Sequence, residues 1–461
     1  MKESRYMKKY SMPDKPGASL LFSTKKASKV LLNPEYMDKM DKDRLDPKDK
    51  ATLAGLGFLV EDRQEEKKEM AGILDKANRE QTKVNAVVVL NLQCNLDCVY
   101  CFEGKMKGSR YMTRDTADLL VEYFSNKALA EKKRLDITFY GGEPLLAPSF
   151  ALLKSISKRL RARAREKGAE FSFFLITNGT LLTRKKVDEL VPLGLTGAQV
   201  TLDGPRETHD RARPYVKGRG SYSRIIHNLK EIDGKIELQL GGNYTKDNYK
   251  EFPGLLDDLA REGITPDKVH IMRFSPVMQT KGEFSLPDFH DGCMSINEPW
   301  FREADLFLRE EILKRGYPIP KVKPGSCMVE FTNDFVVHYD GSIYKCPAFI
   351  GRKELAVGNL WDGIKDYRES HKLGYWKKDE CLDCEYLPIC FGGCRYMKLM
   401  RDGNFDDVDC KKEYYDAVLE SYVLQDIKYQ AREKERDKGT KGQRVKGQWP
   451  MAKGKRRKTE G

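Results

Sequence analysis

Eleven cysteines punctuate this 461-residue chain, and their spacing is where its chemistry is most legible. Cys94, Cys98 and Cys101 stand in C-x3-C-x2-C spacing just after an apolar, strand-like run at 84–92. Three thiolates on one loop can hold three irons of a four-iron, four-sulfur cluster and leave the fourth iron open to a small ligand. A structural zinc ion asks instead for four protein ligands. A second group comprises Cys327, Cys346, Cys381, Cys384, Cys390, Cys394 and Cys410. Its C-x2-C pair suits zinc as well as iron–sulfur chemistry, so by itself this group leaves both open. Cys293 stands apart and reads either as a further ligand or as a free buried thiol.

Those loops need elements to hold them. Hydrophobic residues make up 40% of the chain and aromatics 10%, enough for sizeable cores and more than one domain. No apolar stretch approaches the length of a membrane span, and residues 1–12 have no signal-type apolar region. An odd number of cysteines in a large chain does not suit a disulfide scaffold, and a reducing cytoplasmic setting is expected. The net charge is +13, but residues 428–461 hold 13 Lys/Arg against 4 Asp/Glu, so most of the excess is a tail property. This argues against a nucleic-acid-binding fold.

Residues 1–80 read as a small α+β unit. It has a hairpin over 19–22 and 29–32, a helix opened by Asn33-Pro34-Glu35, a helix-to-strand passage at 53–60, and a charged helix or linker over 61–81. From 84 to 280, strand-like runs at 84–92, 136–140, 171–177, 198–202, 235–240 and 268–274 alternate with amphipathic helices at 113–128, 150–167, 184–193, 222–232 and 249–261. This α/β alternation predicts parallel βα units, too few for an eight-stranded barrel but right for a partial barrel or an open sheet. Residues 281–325 bridge to the next unit and carry a helix at 300–314. The cysteine-rich unit spans 326–420, with a hairpin over 331–338 and 342–345 turned at Asp340-Gly341. A last helix at 411–429 precedes a basic tail, 430–461, expected to be disordered.

With Tyr100 before its last cysteine, the first motif resembles that of the radical S-adenosylmethionine (radical SAM) superfamily. Gly141-Gly142-Glu143-Pro144, Thr177-Asn178-Gly179, Thr201-Leu202-Asp203-Gly204-Pro205 and His209 to Pro214 follow in the family's order, each after a strand. The resemblance implies a partial (β/α)6 TIM-like barrel, a [4Fe-4S] cluster on Cys94, Cys98 and Cys101, and S-adenosylmethionine held by Tyr100, Gly141, Gly142, Glu143, Asn178, Thr201 and Arg213. The later cysteines resemble a SPASM domain. That implies two auxiliary clusters, an outer one on Cys381, Cys384, Cys390 and Cys410 and an inner one on Cys327, Cys346 and Cys394. Either Cys293 completes the inner set or one inner iron is open, available to a substrate thiolate.

The activity so implied is reductive cleavage of S-adenosylmethionine to a 5′-deoxyadenosyl radical that abstracts hydrogen from the substrate. A leading unit ahead of a SPASM enzyme resembles the recognition element of peptide maturases, the alternative being a structural cap on the barrel. The expected substrate is therefore a ribosomally made precursor peptide, gaining a thioether or C–C crosslink. The expected electron donor is of flavodoxin or ferredoxin type. An anaerobic sulfatase-maturing enzyme is the alternative, although Pro347 stands where those relatives carry an Asp after the cysteine equivalent to Cys346. A non-catalytic zinc-binding interaction protein is the third reading. No catalytic acid or base can be picked from sequence; Asp203, Asn243 and Arg273 at strand ends are candidates.

Overall fold

A computed structural model describes residues 1–12, 14–279 and 289–439 of the chain. The N-terminal unit comprises β1 (Lys2–Glu3), β2 (Met7–Ser11), β3 (Ser19–Ser23), β4 (Lys29–Leu32), α1 (Pro34–Asp41), α2 (Pro47–Gly55), β5 (Leu59–Val60) and α3 (Arg63–Arg79). The expected hairpin is β3–β4. Strand β2 adds to it on the far side of β3, and β1 pairs with β5. The β2 sequence, Met-Lys-Lys-Tyr-Ser, shows too little apolar alternation to announce a strand, and the strand is only half-buried. All three helices open on a side-chain cap. Asn33 accepts from the Tyr36 N–H (2.9 Å), Asp46 from that of Asp49 (2.7 Å), and Asp62 from those of Gln64 and Glu65.

Six parallel strands follow in sequential order: β6 (Lys83–Val89), β7 (Arg134–Tyr140), β8 (Phe171–Thr177), β9 (Leu195–Thr201), β10 (Glu237–Tyr244) and β11 (Ile271–Pro276). Between them run α4 (Arg114–Phe124), α5 (Ala147–Lys167), α6 (Arg184–Leu190), α7 (Arg206–Ala212), α8 (Tyr222–Glu231) and α9 (Phe252–Arg261). Side chains alternate across each strand. Leu135, Ile137 and Phe139 on β7, with Phe173 and Leu175 on β8, are buried in one core with Leu120, Phe124, Leu153 and Leu160 of α4 and α5. Each such side chain contributes about 1.5–3 kcal/mol on burial. The intervening residues Tyr140, Ile176, Gln199, Thr201 and Asn243 line a cavity instead.

After α10 (Pro299–Lys314) come β12 (Asp334–Val337), β13 (Ser342–Tyr344), β14 (Gly358–Asn359) and β15 (Gly363–Ile364). The expected hairpin is β12–β13, but it is not a separate sheet. Strand β12 lies parallel to β6, pairing Asp334 with Asn85 and Val337 with Val88, so one ten-stranded sheet crosses the expected boundary at 326. An incomplete barrel leaves an edge strand with unpaired backbone groups, and β12 covers it. Asn85 Nδ2 donates to Asp334 Oδ1 at 2.7 Å and pins the register.

The chain ends with α11 (Asp379–Leu382), α12 (Leu387–Cys390), α13 (Arg395–Asp402) and α14 (Lys412–Gly439). Helix α14 continues ten residues past the expected end at Tyr429, into the stretch expected to be disordered. Residues 280–288 of the expected bridging region and tail residues 440–461 lie outside the described residues. Among the described residues no helix is long and apolar enough to cross a membrane. The N-terminal unit packs on the cysteine-rich unit. Tyr6, Met70 and Leu74 share a core with Trp376, Leu382 and Leu387. Tyr6 OH donates to Leu382 O (2.8 Å), and Thr24 Oγ1 to Glu385 O (2.6 Å).

Between Cys390 and Cys394 the backbone is left-handed at Phe391, Gly392 and Gly393 in succession. A Cβ on Gly393 would stand 2.0 Å from the Asp409 carbonyl oxygen, so only glycine lets the loop meet the segment before Cys410. Gly393→Ala is expected to destabilise the chain by about 3 kcal/mol, from left-handed strain plus displacement of the 409 backbone. A lowered urea midpoint by tryptophan fluorescence would show it. An unchanged midpoint would mean that this loop does not hold the unit together.

Candidate active site

Cys94, Cys98 and Cys101 occupy the loop after β6, at the C-terminal ends of the parallel strands. The loop is stitched down by its own backbone. Asp97 N–H donates to Pro214 O (2.8 Å), Val99 N–H to Ala212 O (3.1 Å), and Leu96 bridges to Tyr215. All three cysteines line a cavity of about 430 Å³, together with Tyr100, Gly141, Gly142, Asn178, Thr201 and Arg213. Six of the seven residues expected to contact S-adenosylmethionine therefore meet around one space.

Glu143 is the seventh, and it does not line the cavity. It is fully buried beneath the turn, where Oε1 accepts from the Leu145 N–H (2.9 Å) and the Thr177 hydroxyl (2.9 Å), and Oε2 from the Asn178 N–H (2.9 Å). Its place is to tie the Gly-Gly turn to the Thr177-Asn178-Gly179 turn. The glycines pack against the run leading into Cys94. A Cβ on Gly142 would come within 2.1 Å of Gln93 O, and one on Gly141 within 2.5 Å of Asn91 O. Bare backbone is thus offered to the cavity. Asn178 Nδ2 approaches Cys94 Sγ at 3.6 Å.

A buried polar network fixes the far wall. Tyr100 OH donates to Asp203 Oδ2 and accepts from Arg213 Nη1 (2.5 Å) and Asn243 Nδ2 (3.0 Å). Asp203 Oδ1 accepts the Asn243 N–H (2.7 Å). His209 Nδ1 accepts from Asp203 N–H (3.1 Å), so its Nε2 carries the proton and donates to Ser221 Oγ (2.9 Å), which donates to Arg213 O (2.7 Å). Burial first, then the Arg213 charge, lowers His209 to about 3, so the ring is neutral. Sequence reasoning named Asp203 and Asn243 without a role. Both hold Tyr100, whereas Arg273 lines a different cavity.

Glu103 was missed. It is buried, lines the cavity, and leaves Oε1 without a hydrogen-bond partner. Burial pushes its carboxyl up to about 8, with Lys107 opposing. The only hint in sequence is its place two residues after Cys101. Ala348 and Tyr396 were missed as well. They stand two residues after Cys346 and Cys394 and close the cavity from the cysteine-rich unit.

The thiols fit clusters by the chemistry of the donor set. Burial pushes Cys94 up to about 11 and Cys101 to about 12, with Glu143 and Glu103 respectively the next cause and Cys98 adding to both. Burial also raises Cys327 and Cys346; Cys327 adds to the rise of Cys346, and Cys394 adds to both. In the outer set, burial raises Cys381 and Cys384 to about 11, and Cys390 and Cys410 contribute to Cys381. Buried thiolates grouped in this way are stabilised by a bound metal centre. Cys293 joins neither set. Its Sγ donates to Ser295 O (3.2 Å), and its backbone pairs with Val277, in the barrel core. The segment that carries Cys293 is tied to the barrel, through Cys293 N–H to Val277 O and Gln279 N–H to Cys293 O.

Two outcomes follow. Cys293→Ala should leave the iron content and the electron paramagnetic resonance of the inner cluster unchanged; loss of that signal would make Cys293 a ligand. Asp203→Asn should leave the iron content unchanged but weaken S-adenosylmethionine binding about tenfold in calorimetry, since Tyr100 and Arg213 lose a charged anchor. Unchanged affinity would reduce the network to packing.

Comparison with known proteins supplies the family. The model described as the radical SAM superfamily matches residues 88–259. Fe-coproporphyrin III synthase of Methanosarcina barkeri is 32% identical over 386 residues, covering 72% of this chain and 90% of that protein. A cysteine-type anaerobic sulfatase-maturating enzyme of Clostridium perfringens is 25% identical, covering 66% and 86%. The solved structure of native anSMEcpe with bound AdoMet and Cp18Cys peptide superposes with a TM-score of 0.58 at 18% identity, covering 74% of this chain and 98% of that one. Streptococcus suis SuiB bound to its precursor peptide SuiA gives 0.50 at 13%, covering 88% and 98%. These last two are likenesses of fold. The relatives are enzymes, which removes the reading as a non-catalytic zinc protein. On the strength of the barrel's match and of a relative spanned over nine-tenths of its length, the chain belongs to the radical SAM superfamily, whose enzymes use S-adenosylmethionine and a [4Fe-4S] cluster.

Proposed function

We propose that this enzyme modifies a ribosomally made precursor peptide oxidatively, forming a thioether or C–C crosslink. The observation that carries the reading is the shared cavity. It is lined by the Cys94–Cys101 loop and also by Ala348 and Tyr396, two residues after the inner cysteines Cys346 and Cys394. A substrate carbon placed there lies between the site of hydrogen abstraction and a prospective electron acceptor. When bound, the first cluster and S-adenosylmethionine supply a 5′-deoxyadenosyl radical, and the inner and outer sets would hold auxiliary clusters that take up electrons.

The chain's own residues orient and enclose. Gly141 and Gly142 present backbone to the cofactor, Asn178 steadies Cys94, and the Asp203 network sets Tyr100 and Arg213. Glu103 Oε1 is free to accept a hydrogen bond from a substrate N–H or S–H. Three cysteines in the inner set support an open iron that a substrate thiolate could take. Support for a peptide also comes from β4, which is hydrogen-bonded on one side only. Leu31 and Tyr36 flank a groove there, and an extended peptide adds readily to such an edge. For the flavodoxin- or ferredoxin-type donor, the support is the outer face of the cysteine loop. Val99 and Val216 are exposed there, with Lys217 and Arg219 alongside Val216, a surface suited to an acidic carrier. The cysteine usage supports a reducing, cytoplasmic setting.

Sulfatase maturation is the second reading, favoured by the likeness to sulfatase-maturating enzymes. Against it, Pro347 stands where an Asp is called for and opens a short 3-10 turn without a carboxylate. Anaerobically purified protein is expected to hold about twelve irons, four for each cluster. Given S-adenosylmethionine, reductant and a cysteine-containing precursor peptide, it should release 5′-deoxyadenosine and return a peptide lighter by two hydrogens. An aldehyde trapped on a sulfatase-type cysteine peptide, or turnover of an iron porphyrin carboxylate with no peptide modified, would overturn the reading.

A further inference from the structure

We propose that a second cavity, on the outer edge of β11, receives an acidic stretch of the substrate peptide on its way to the active cavity. This rests on the peptide reading above. The cavity, about 340 Å³, lies between β11, α10, α14 and residues 319–323. Pro276 lines both this cavity and the active one, so the two adjoin at the end of β11.

Its free charge is positive. Arg273, Lys321 and Lys323 line it, and none of their side chains makes a hydrogen bond or ion pair among the described residues. The other charges in the wall are matched. Arg309 binds Asp426 (2.5 Å) and Gln425 (2.8 Å). Asp305 Oδ2 accepts the hydroxyls of both Tyr414 and Tyr422, and its burial raises its pKa and disfavours its charge. Three cations whose side chains have no hydrogen-bond partner suit carboxylates carried on an extended chain.

The backbone suits such a chain too. β11 is the outer strand of the sheet, and Met272 N–H already points away from β10 to Pro318 O (2.7 Å). At the two-residue period Phe274 presents its backbone the same way, toward the cavity. The position also fits. Val322 packs against the cluster holding Leu20 and Phe22 of β3, and Lys29 of β4 is bonded to Asp426 of α14. The cavity therefore has elements of the leading sheet beside it on one side and adjoins the active cavity at Pro276 on the other.

The test uses the full chain and two fluorescent, photo-crosslinking peptides, one of alternating Glu and Ala and one with Gln for Glu. Wild type is compared with the triple variant Arg273→Glu, Lys321→Glu, Lys323→Glu. All three positions are exposed, and melting curves check the fold. The Glu peptide should bind the variant about tenfold more weakly, three exposed charge pairs being lost, while the Gln peptide is unaffected. Crosslinks should fall in β11 and residues 319–323. Equal binding of the Glu peptide to both proteins, with crosslinks confined to tail residues 440–461, would overturn this site and leave the peptide reading standing. If neither peptide binds wild type and no precursor is modified, both are overturned.

Discussion

The parallel pairing of β12 with β6 is the contact on which the site depends. Two strands about 250 residues apart in sequence share a register, held by Asn85 on Asp334. Strand β6 delivers the chain into the Cys94–Cys101 loop, and β12 leads through β13 into Cys346. One strand pair therefore sets how far the first thiol set stands from the inner one. It also closes the exposed edge of an incomplete barrel, so the demand for backbone hydrogen bonds and the placement of chemistry are met by the same contact.

Around that frame the cavity is built from groups that are buried and oriented before any ligand arrives. Glu143 has two backbone N–H groups and a hydroxyl on its carboxylate and works from below, fixing two turns at once. Asp203 does the same for Tyr100 and Arg213 on the other wall. Fixed dipoles and a few charges can orient a substrate there, and one-electron chemistry on an unactivated carbon needs stray solvent and oxygen kept out.

The N-terminal unit is bound to the cysteine-rich unit through buried apolar side chains and the Tyr6 and Thr24 hydrogen bonds, against the loop that carries Cys381 and Cys384. The outer thiols and the seat of the leading sheet therefore share one loop, so a cluster bound there would also steady the surface on which the sheet rests.

Much of this was legible in the chain itself. Ligand spacing is local, so the Cys94–Cys101 motif could be read directly, whereas the division of the later cysteines into two sets came only from the family resemblance; the glycines that must let backbones approach could be read directly as well. The six βα units were readable because apolar alternation reports burial face by face. Strand β2 escaped because an exposed edge needs no apolar period. Glu103 escaped because a lone acid beside a cysteine carries no pattern. That Glu143 lies under the turn, that Cys293 belongs to the barrel core, and that β12 completes the barrel's edge were decided only in three dimensions. Each depends on contacts between segments far apart in sequence, whose partners no local spacing can name.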